Sequence, residues 1–285
     1  MAKLTKTAIR RIAGLVPFPQ PETIRVRYPI VLMHGFGLLA FLAKGGHLHE
    51  EAMYLRMRGI LAFAPNVSPY HTIADRANMW RERVEFILKT TGAEKVNLIA
   101  HSMGGLDARY LVSKCGLHDR VATLTTIASP HRGSSLAEIV LEQPGKVQEW
   151  LQDAANWIGQ NAMSNSGADF HSAIQQLTPT ALKESFNLEV LDHPNVLYRS
   201  YAGASGKGTL HSINPILRPF NSLMYAREGV NDGLVSVSSA KWGDYQGEIE
   251  ADHAQQIGID LMPSSSFSSS EFFADQVRLL AEMGF

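Results

Sequence analysis

The chain has 285 residues, of which 45% are hydrophobic, enough to bury a sizeable core in one large domain. Its 26 basic and 27 acidic residues give a formal net charge of -1, and no nucleic acid partner is expected because phosphate binding needs a concentrated basic field. The single cysteine, Cys115, excludes a disulfide within this sequence and leaves the redox compartment open.

Residues 1–27 are interpreted as a basic amphipathic segment. One helical face carries Leu4, Ala8, Ile12 and Leu15, and its short length favours packing on the domain over binding to a membrane surface. The following apolar stretch is short, contains Pro17 and lacks an A-x-A cleavage site, so it does not resemble a Sec signal. We therefore expect a cytoplasmic or membrane-peripheral protein.

Strand and helix signals alternate through the first half of the chain. Apolar runs predict strands, and 3.6-residue periodicity predicts the helices between them. The strands fall at 27–33, 59–65, 96–100 and 121–128, and the helices at 47–57, 72–90 and 103–115. Continuous apolar strands separated by helices indicate a parallel sheet covered on both faces.

The alternation stops after the fourth strand. Residues of about 134–190 give only helical signals, whereas strand signals return at 196–203 and 233–237 before a last helix at 271–283. Ser268 and Glu271 have capping-box spacing at the start of that helix. The main domain is therefore predicted to span 28–285. Its helical insertion is either plain core or a lid over the cleft, and the lid is favoured, with Trp150, Leu151 and Trp157 as candidate substrate contacts.

The stretch V-N-L-I-A-H-S-M-G-G places Ser102 directly after a buried strand. A sharp strand-to-helix turn exposes such a serine for nucleophilic attack and requires small residues two positions on either side, here Ala100 and Gly104. The usual pattern has glycine in the first of these positions. The alternative interpretation is a helix N-cap serine.

A second motif, M-H-G-F-G, ends the first strand. It would supply one backbone N–H of an oxyanion hole from Phe36, and Met103 after the serine would supply the other. His34 and Gly35 belong to this candidate substrate loop, with His34 expected to form structural hydrogen bonds. An ordinary strand-end turn is the alternative.

The partners of the serine are predicted near the C-terminus, in the chain order serine, acid, histidine. Asp232 in N-D-G-L-V and His253 in D-H-A-Q-Q satisfy this order. N-D-G is also an ordinary turn signal. Asp252 and Asp260 remain rival acids, and His131 remains the rival base.

Together these residues resemble the bacterial triacylglycerol lipases of the Pseudomonas and Burkholderia type. The matching segments are Y-P-I-V-L-M-H-G at Tyr28, K-V-N-L-I-A-H-S-M-G-G at Lys95, A-S-P-H-R-G-S at Ala128, N-D-G-L-V at Asn231 and D-H-A-Q-Q at Asp252. The resemblance implies an α/β-hydrolase fold, with a mainly parallel central sheet flanked by helices and a helical lid.

The resemblance also implies a serine ester hydrolase with Ser102 as nucleophile, His253 as base and Asp232 as its orienting acid. No cofactor is implied, and the partner is a lipid or other ester substrate, with interfacial contact at lipid aggregates. A phospholipase or acyltransferase on the same triad is the alternative. An inactive lipid-binding protein of this fold is an alternative of another class.

Two positions depart from the family pattern. These lipases usually hold a structural calcium through an aspartate two residues after the catalytic histidine and another in a D-P pair. Here those positions carry Gln255 and Asn214, and neutral amides are weak replacements for carboxylates around a hard cation. We therefore predict no calcium. The family is often secreted, so secretion remains open despite the missing Sec signal.

Overall fold

A computed structural model describes residues 10–11, 13–15, 22–36, 48–142, 145, 167–261 and 267–285. Three predicted lid residues, Trp150, Leu151 and Trp157, lie outside these ranges, as does most of the predicted N-terminal segment. Among the described residues, no helix combines the length and the apolar character needed to cross a bilayer.

A six-stranded sheet forms the centre of the fold. Its strands are β1 Ile30–Met33, β2 Ala62–Phe63, β3 Val96–His101, β4 Val121–Ile127, β5 Leu197–Gly203 and β6 Asp244–Ile249. The spatial order is β2-β1-β3-β4-β5-β6, and every neighbouring pair is parallel. The predicted parallel sheet is confirmed. Because parallel strands end at one edge of a sheet, the loops after β1, β3 and β5 meet there.

Eight helices of the described chain are named here by their bounds. They are α1 His49–Arg56, α2 Ile73–Thr91, α3 Gly104–Ser113, α4 Ser135–Glu142, α5 Gly167–Gln175, α6 Arg218–Glu228, α7 Val237–Ala240 and α8 Ser269–Glu282. Short helical segments also span Pro179–Ala181, Leu182–Phe186 and Asn187–Glu189. The described residues of the predicted insertion are therefore mostly helical.

The helix starts follow the local sequence. Thr72 caps α2 by accepting from the Asp75 amide at 3.2 Å, and Ser268 caps α8 by accepting from the Glu271 amide at 3.3 Å. The second half of the predicted capping box is absent from the described contacts of Glu271, whose carboxylate bonds Tyr54 and Arg58 of α1 and its following turn instead. Side-chain packing between α8 and α1 thus replaced a local contact.

The two faces of the sheet bury separate apolar clusters. Leu98 of β3 packs into the cluster that holds Trp80 of α2, whereas its neighbour Ile99 packs into the cluster that holds Leu55 of α1 and Phe273 of α8. Burying side chains of this size contributes about 1.5–3 kcal/mol each. Helices on both faces explain why the central strands β3 and β4 are buried along their whole length.

The strand predicted at 233–237 is wrong. The segment is a turn closed by a single bridge between Asn231 and Ser236, and α7 begins at Val237. The Asp232 carboxylate accepts the amides of Leu234 and Val235, and this local bonding holds the backbone away from a strand ladder. The sixth strand, β6, escaped prediction because this edge strand of D-Y-Q-G-E-I is largely exposed and lacks an apolar run.

Candidate active site

The serine turn begins where strand β3 ends. Ser102 has a φ of 57°, in the left-handed region that a non-glycine residue adopts only at a steric cost. Its amide donates to the Ile127 carbonyl of β4 at 2.9 Å, and its carbonyl accepts from the Gly105 amide at 3.0 Å. The Ser102 side chain is only partly buried. This is the strand-to-helix turn that the sequence predicts for an exposed nucleophile.

Close packing explains why residues around this turn are small. A Cβ atom on Gly104 would lie 2.8 Å from the His34 carbonyl oxygen. A Cβ atom on Gly35 would lie 2.5 Å from the Cβ of Ser102 and 2.9 Å from the amide nitrogen of Met103. Interior atoms are already close-packed, so neither position has room for a side chain. The loop after β1 therefore packs directly against the serine turn.

The two predicted oxyanion donors lie on these touching segments. Phe36 follows Gly35, and Met103 follows Ser102, so the contact between the glycine and the serine brings both segments together. Met103 directly precedes α3. An amide at the start of a helix has no carbonyl partner within that helix. Its side chain lies in an apolar cluster against which Phe36 also packs. The arrangement suits two amides that face one developing oxyanion.

Asp232 and His253 form the central pair of the site. His253 Nδ1 lies 2.8 Å from Asp232 Oδ2, and both side chains are buried. The other carboxylate oxygen accepts the amides of Leu234 at 3.0 Å and Val235 at 2.8 Å. Backbone bonding continues the pairing, because the His253 amide donates to the Asp232 carbonyl at 3.0 Å. The N-D-G turn and the acid are therefore one feature.

This pairing assigns the tautomer of the histidine. A carboxylate only accepts, so Nδ1 of His253 carries the proton and Nε2 keeps a lone pair for a base. The His253 ring lies 4.4 Å, centroid to centroid, from the ring of His101, which directly precedes Ser102. No hydrogen bond within the described chain joins Ser102 to His253. Catalytic contacts of this kind commonly tighten only when substrate binds.

The rival acid Asp252 shapes the histidine loop instead of bonding its ring. One carboxylate oxygen accepts the amides of Ala254 and Gln255, both at 2.9 Å, and the other accepts the Asn214 amide at 2.7 Å. Burial raises the pKa of Asp252 to about 6, despite these hydrogen bonds. The third candidate acid, Asp260, accepts from the Gln255 side chain at 3.4 Å.

The other candidate histidines have structural surroundings. His131 is fully buried, its Nε2 lies 3.0 Å from the Thr126 hydroxyl, and its ring stacks on Trp242. Burial, assisted by nearby arginines, lowers its pKa well below the usual value. His34 accepts the Val67 amide on Nε2, so its Nδ1 donates to the Gly35 carbonyl at 3.0 Å. The prediction that His34 forms structural hydrogen bonds is correct.

Sequence reasoning missed one support of the loop after β1, the predicted oxyanion loop. Arg76 of α2 and Asp107 of α3 form an ion pair at 2.8 Å in which both side chains are 0% exposed. The same guanidinium donates to the carbonyls of His34 and Ser68, both at 2.7 Å. Burial raises the pKa of Asp107 to about 6, although Arg76 opposes the shift. Arg76 looked like one polar residue of an amphipathic helix, and no local signal distinguished it.

The residues at the expected calcium position do not fit a calcium ion. Asn214 Nδ2 donates to Asp252 Oδ1 at 3.0 Å and to the Ile259 carbonyl at 3.1 Å, so an N–H group occupies the place between these oxygens. Gln255 Oε1 accepts the Asp252 amide at 2.9 Å. Calcium takes six to eight oxygen ligands. This loop cannot offer that many, because its side-chain amides are engaged in these hydrogen bonds.

We expect EDTA to leave both ester hydrolysis and the thermal midpoint unchanged. The side-chain amide of Asn214 already bridges Asp252 and Ile259, in the place where a calcium ion would have to bind. Asn214→Ala should lower the free energy of unfolding by about 1–3 kcal/mol, since it takes the hydrogen-bond partner away from the Ile259 carbonyl and from the Leu261 amide. The exposed Asn195→Ala is the control and should change it by less than about 0.5 kcal/mol. A thermal midpoint that rises when calcium is added to the EDTA-treated protein would contradict this prediction.

Comparison with known proteins identifies the fold family that this chain resembles. A family model described as the alpha/beta hydrolase fold matches residues 65–201, which include β3, the serine turn and β4. The chain adopts the α/β-hydrolase fold. The parallel sheet, with helices on both faces and the serine turn at the end of β3, is the arrangement expected of that fold.

Curated relatives of this α/β-hydrolase chain include several triacylglycerol lipases. Triacylglycerol lipase 2 of Saccharomyces cerevisiae is 33% identical over 213 residues, covering 72% of this chain and 60% of the relative. A Pseudomonas fragi triacylglycerol lipase is 26% identical over 294 residues, covering 92% of this chain and 99% of the relative. The chain thus spans less than two thirds of the yeast relative. The predicted resemblance to bacterial triacylglycerol lipases is confirmed.

Solved structures agree on the fold of this α/β-hydrolase chain. A metagenomic carboxyl esterase matches with a TM-score of 0.73 at 20% identity, covering 94% of this chain and 80% of that one. The mature form of a Bacillus licheniformis lipase matches with a TM-score of 0.64 at 23% identity, covering 91% and 96%. The predicted α/β-hydrolase fold is confirmed.

Proposed function

We propose that this protein is a lipase or carboxylesterase that hydrolyses acyl esters, with triacylglycerol or other medium- and long-chain esters as substrates. The observation that carries the proposal is the buried 2.8 Å contact between His253 Nδ1 and Asp232, next to the strained turn at Ser102. A strained, partly exposed serine beside a histidine oriented by a buried carboxylate is suited to nucleophilic catalysis. The kinship with triacylglycerol lipases supports an ester as the substrate class.

The reaction follows from the roles of these groups. Nε2 of His253 removes the Ser102 proton as the hydroxyl oxygen attacks the ester carbonyl, and Asp232 stabilises the imidazolium that forms. The amides of Phe36 and Met103 bind the oxygen that becomes negative in the tetrahedral intermediate. The imidazolium then protonates the leaving alcohol. Water, deprotonated by the same nitrogen, releases the acid from the acyl-enzyme.

An apolar cluster supports a substrate region built by the insertion at 134–190. Residues of α4, α5 and the segments that follow pack with Met103 in this cluster, against which Phe36 also lies. They are Ala137, Ile174, Leu177 and Leu182. We propose that the insertion covers the cleft as a lid, because its apolar residues adjoin the oxyanion segments. Such a lid favours long acyl chains over short ones.

A chain-length series tests this function. We expect p-nitrophenyl laurate and palmitate to be cleaved with higher kcat/KM than the acetate, since a long chain buries more apolar surface against the insertion. Rates should be measured below and above the solubility of each ester. Cleavage of the acetate alone would refute the lid, and no cleavage of any ester would refute the hydrolase.

Product analysis with a glyceride, a phospholipid and added alcohol separates the related activities. Free fatty acid from the glyceride is the expected main product. Predominant attack on the phospholipid, or transfer to the alcohol, would redirect the proposal to a phospholipase or an acyltransferase on the same residues. A protein that a fluorophosphonate fails to label would instead be an inactive member of the fold.

A further inference from the structure

Gln256 lies in the middle of the site, although the serine–acid–histidine pattern assigns it no role. It is fully buried in a short turn, Gln255–Ile257, directly after the histidine loop. Its Nε2 lies 3.0 Å from Asp232 Oδ2, the same oxygen that contacts His253, and 3.2 Å from the Ala251 carbonyl. The Gln256 amide therefore shares the catalytic carboxylate with the histidine.

The partners of Gln256 settle the orientation of its amide. Asp232 and the Ala251 carbonyl only accept, so the NH₂ group must face them. The amide oxygen then faces His101 Nε2, which lies 3.2 Å away. An amide oxygen only accepts, so His101 carries its proton on Nε2. One side chain thereby links the acid on one loop to the residue that precedes Ser102.

The space for this link is provided by strand β5. A Cβ atom on Gly203 would lie 2.0 Å from Gln256 Nε2 and 2.7 Å from Asp232 Cβ. A side chain at this position would therefore displace both groups.

The link also bears on the neighbouring rings. His101 and His253 lie 4.4 Å apart, centroid to centroid, with a tilt of 48°. Because Gln256 accepts the Nε2 proton of His101, the His101 ring is held in place beside the His253 ring. The His253 ring is then confined between the His101 ring and the Asp232 carboxylate. The titratable groups in this set are His101, His253 and Asp232.

We propose that Gln256 is a positioning residue of the triad, which orients the Asp232 carboxylate and the His101 ring so that His253 stays aligned with Ser102. This proposal rests on the ester hydrolase function proposed above. The amide does not touch the reacting atoms and supplies no proton. It donates one hydrogen bond to the carboxylate, which tempers the attraction between that carboxylate and the imidazolium.

Two substitutions of nearly equal volume test the proposal. Gln256→Met removes every polar contact, and we expect kcat for p-nitrophenyl esters to fall about tenfold or more with little change in KM, because alignment matters most in the transition state. The acidic limb of the kcat/KM profile should move to higher pH, because the carboxylate, without its amide donor, holds the imidazolium more tightly.

Gln256→Glu keeps the shape but places a second carboxylate against Asp232. As a carboxylate it cannot donate to Asp232, whereas the protonated acid can, so we expect activity relative to Gln256→Met to recover as pH falls. Gln246→Met makes the same chemical change on the exposed edge strand β6, where the amide oxygen accepts from Arg199 and touches no triad residue, and is the control. Thermal midpoints and fluorophosphonate titration give the folded, active fraction of each variant.

The outcomes separate the two proposals. Wild type that neither cleaves esters nor reacts with the fluorophosphonate refutes the hydrolase and with it the role of Gln256. Active wild type with unchanged kcat and pH profile in Gln256→Met refutes the positioning role alone. A loss of midpoint without a change in kcat or pH profile per active site assigns Gln256 a structural role and also overturns the proposal. If Gln256→Met does not fold, the activity of Gln256→Glu relative to wild type decides: recovery as pH falls supports the positioning role, and a ratio that does not change with pH overturns it.

Discussion

Ser102→Ala is expected to abolish ester hydrolysis, with kcat lower by about a millionfold, the size of loss seen when a catalytic serine is removed. The variant keeps the Asp232–His253 contact and both oxyanion amides, so only the catalysis due to binding and the oxyanion hole remains. Fluorophosphonate labelling should disappear with the activity. Hydrolysis of p-nitrophenyl esters and mass spectrometry of the labelled protein measure the two effects.

Folding should change little or improve in this variant. Ser102 has a φ of 57°, and alanine experiences the same steric cost there, so the turn is retained without the hydroxyl. Ser113→Ala, at the far end of α3, the helix that follows Ser102, is the matched control and should keep wild-type rates. If Ser102→Ala retains wild-type activity and labelling, another residue is the nucleophile and the proposed triad is wrong.

Arg76→Met should lower the free energy of unfolding by about 3–5 kcal/mol, the usual result of removing one partner of a buried ion pair. The guanidinium contacts Asp107 at 2.8 Å and the carbonyls of His34 and Ser68, and methionine leaves all three without it. Because His34 leads into the oxyanion loop, kcat should fall as well. Urea titration measures the stability loss, and ester kinetics in the folded range measure the effect on the loop.

A control on the same helix separates burial from charge. Arg81 pairs with Glu85 at 4.0 Å on the surface, and Arg81→Met should cost no more than about 1 kcal/mol. Combining Arg76→Met with Asp107→Leu should recover part of the loss, since no uncompensated charge then stays buried. Equal costs for Arg76→Met and Arg81→Met would show that the buried pair does not hold α2, α3 and the oxyanion loop together.

Local patterns were sufficient for the serine turn and the sheet around it. The apolar run of β3 followed by small residues predicted both the strand and the position of Ser102, because these features depend on neighbours in the chain. The same reasoning failed for the segment at 233–237. There the side chain of Asp232 bonds the amides of Leu234 and Val235, and an apolar run became a turn. The exposed β6 carried too little apolar sequence to be seen.

By itself the sequence determined the parallel α/β architecture, the serine turn and a short set of candidate acids and bases, since periodicity and small-residue spacing act over a few neighbouring positions. Only the tertiary structure decided which of them meet. It paired His253 with Asp232 and gave Asp252 to the backbone of the loop. It also brought Gln256 to His101, 155 positions away, a contact that depends on strand order and loop packing. Hydrogen bonds over such separations leave no periodic trace in a sequence, so the candidates became a site only in the fold.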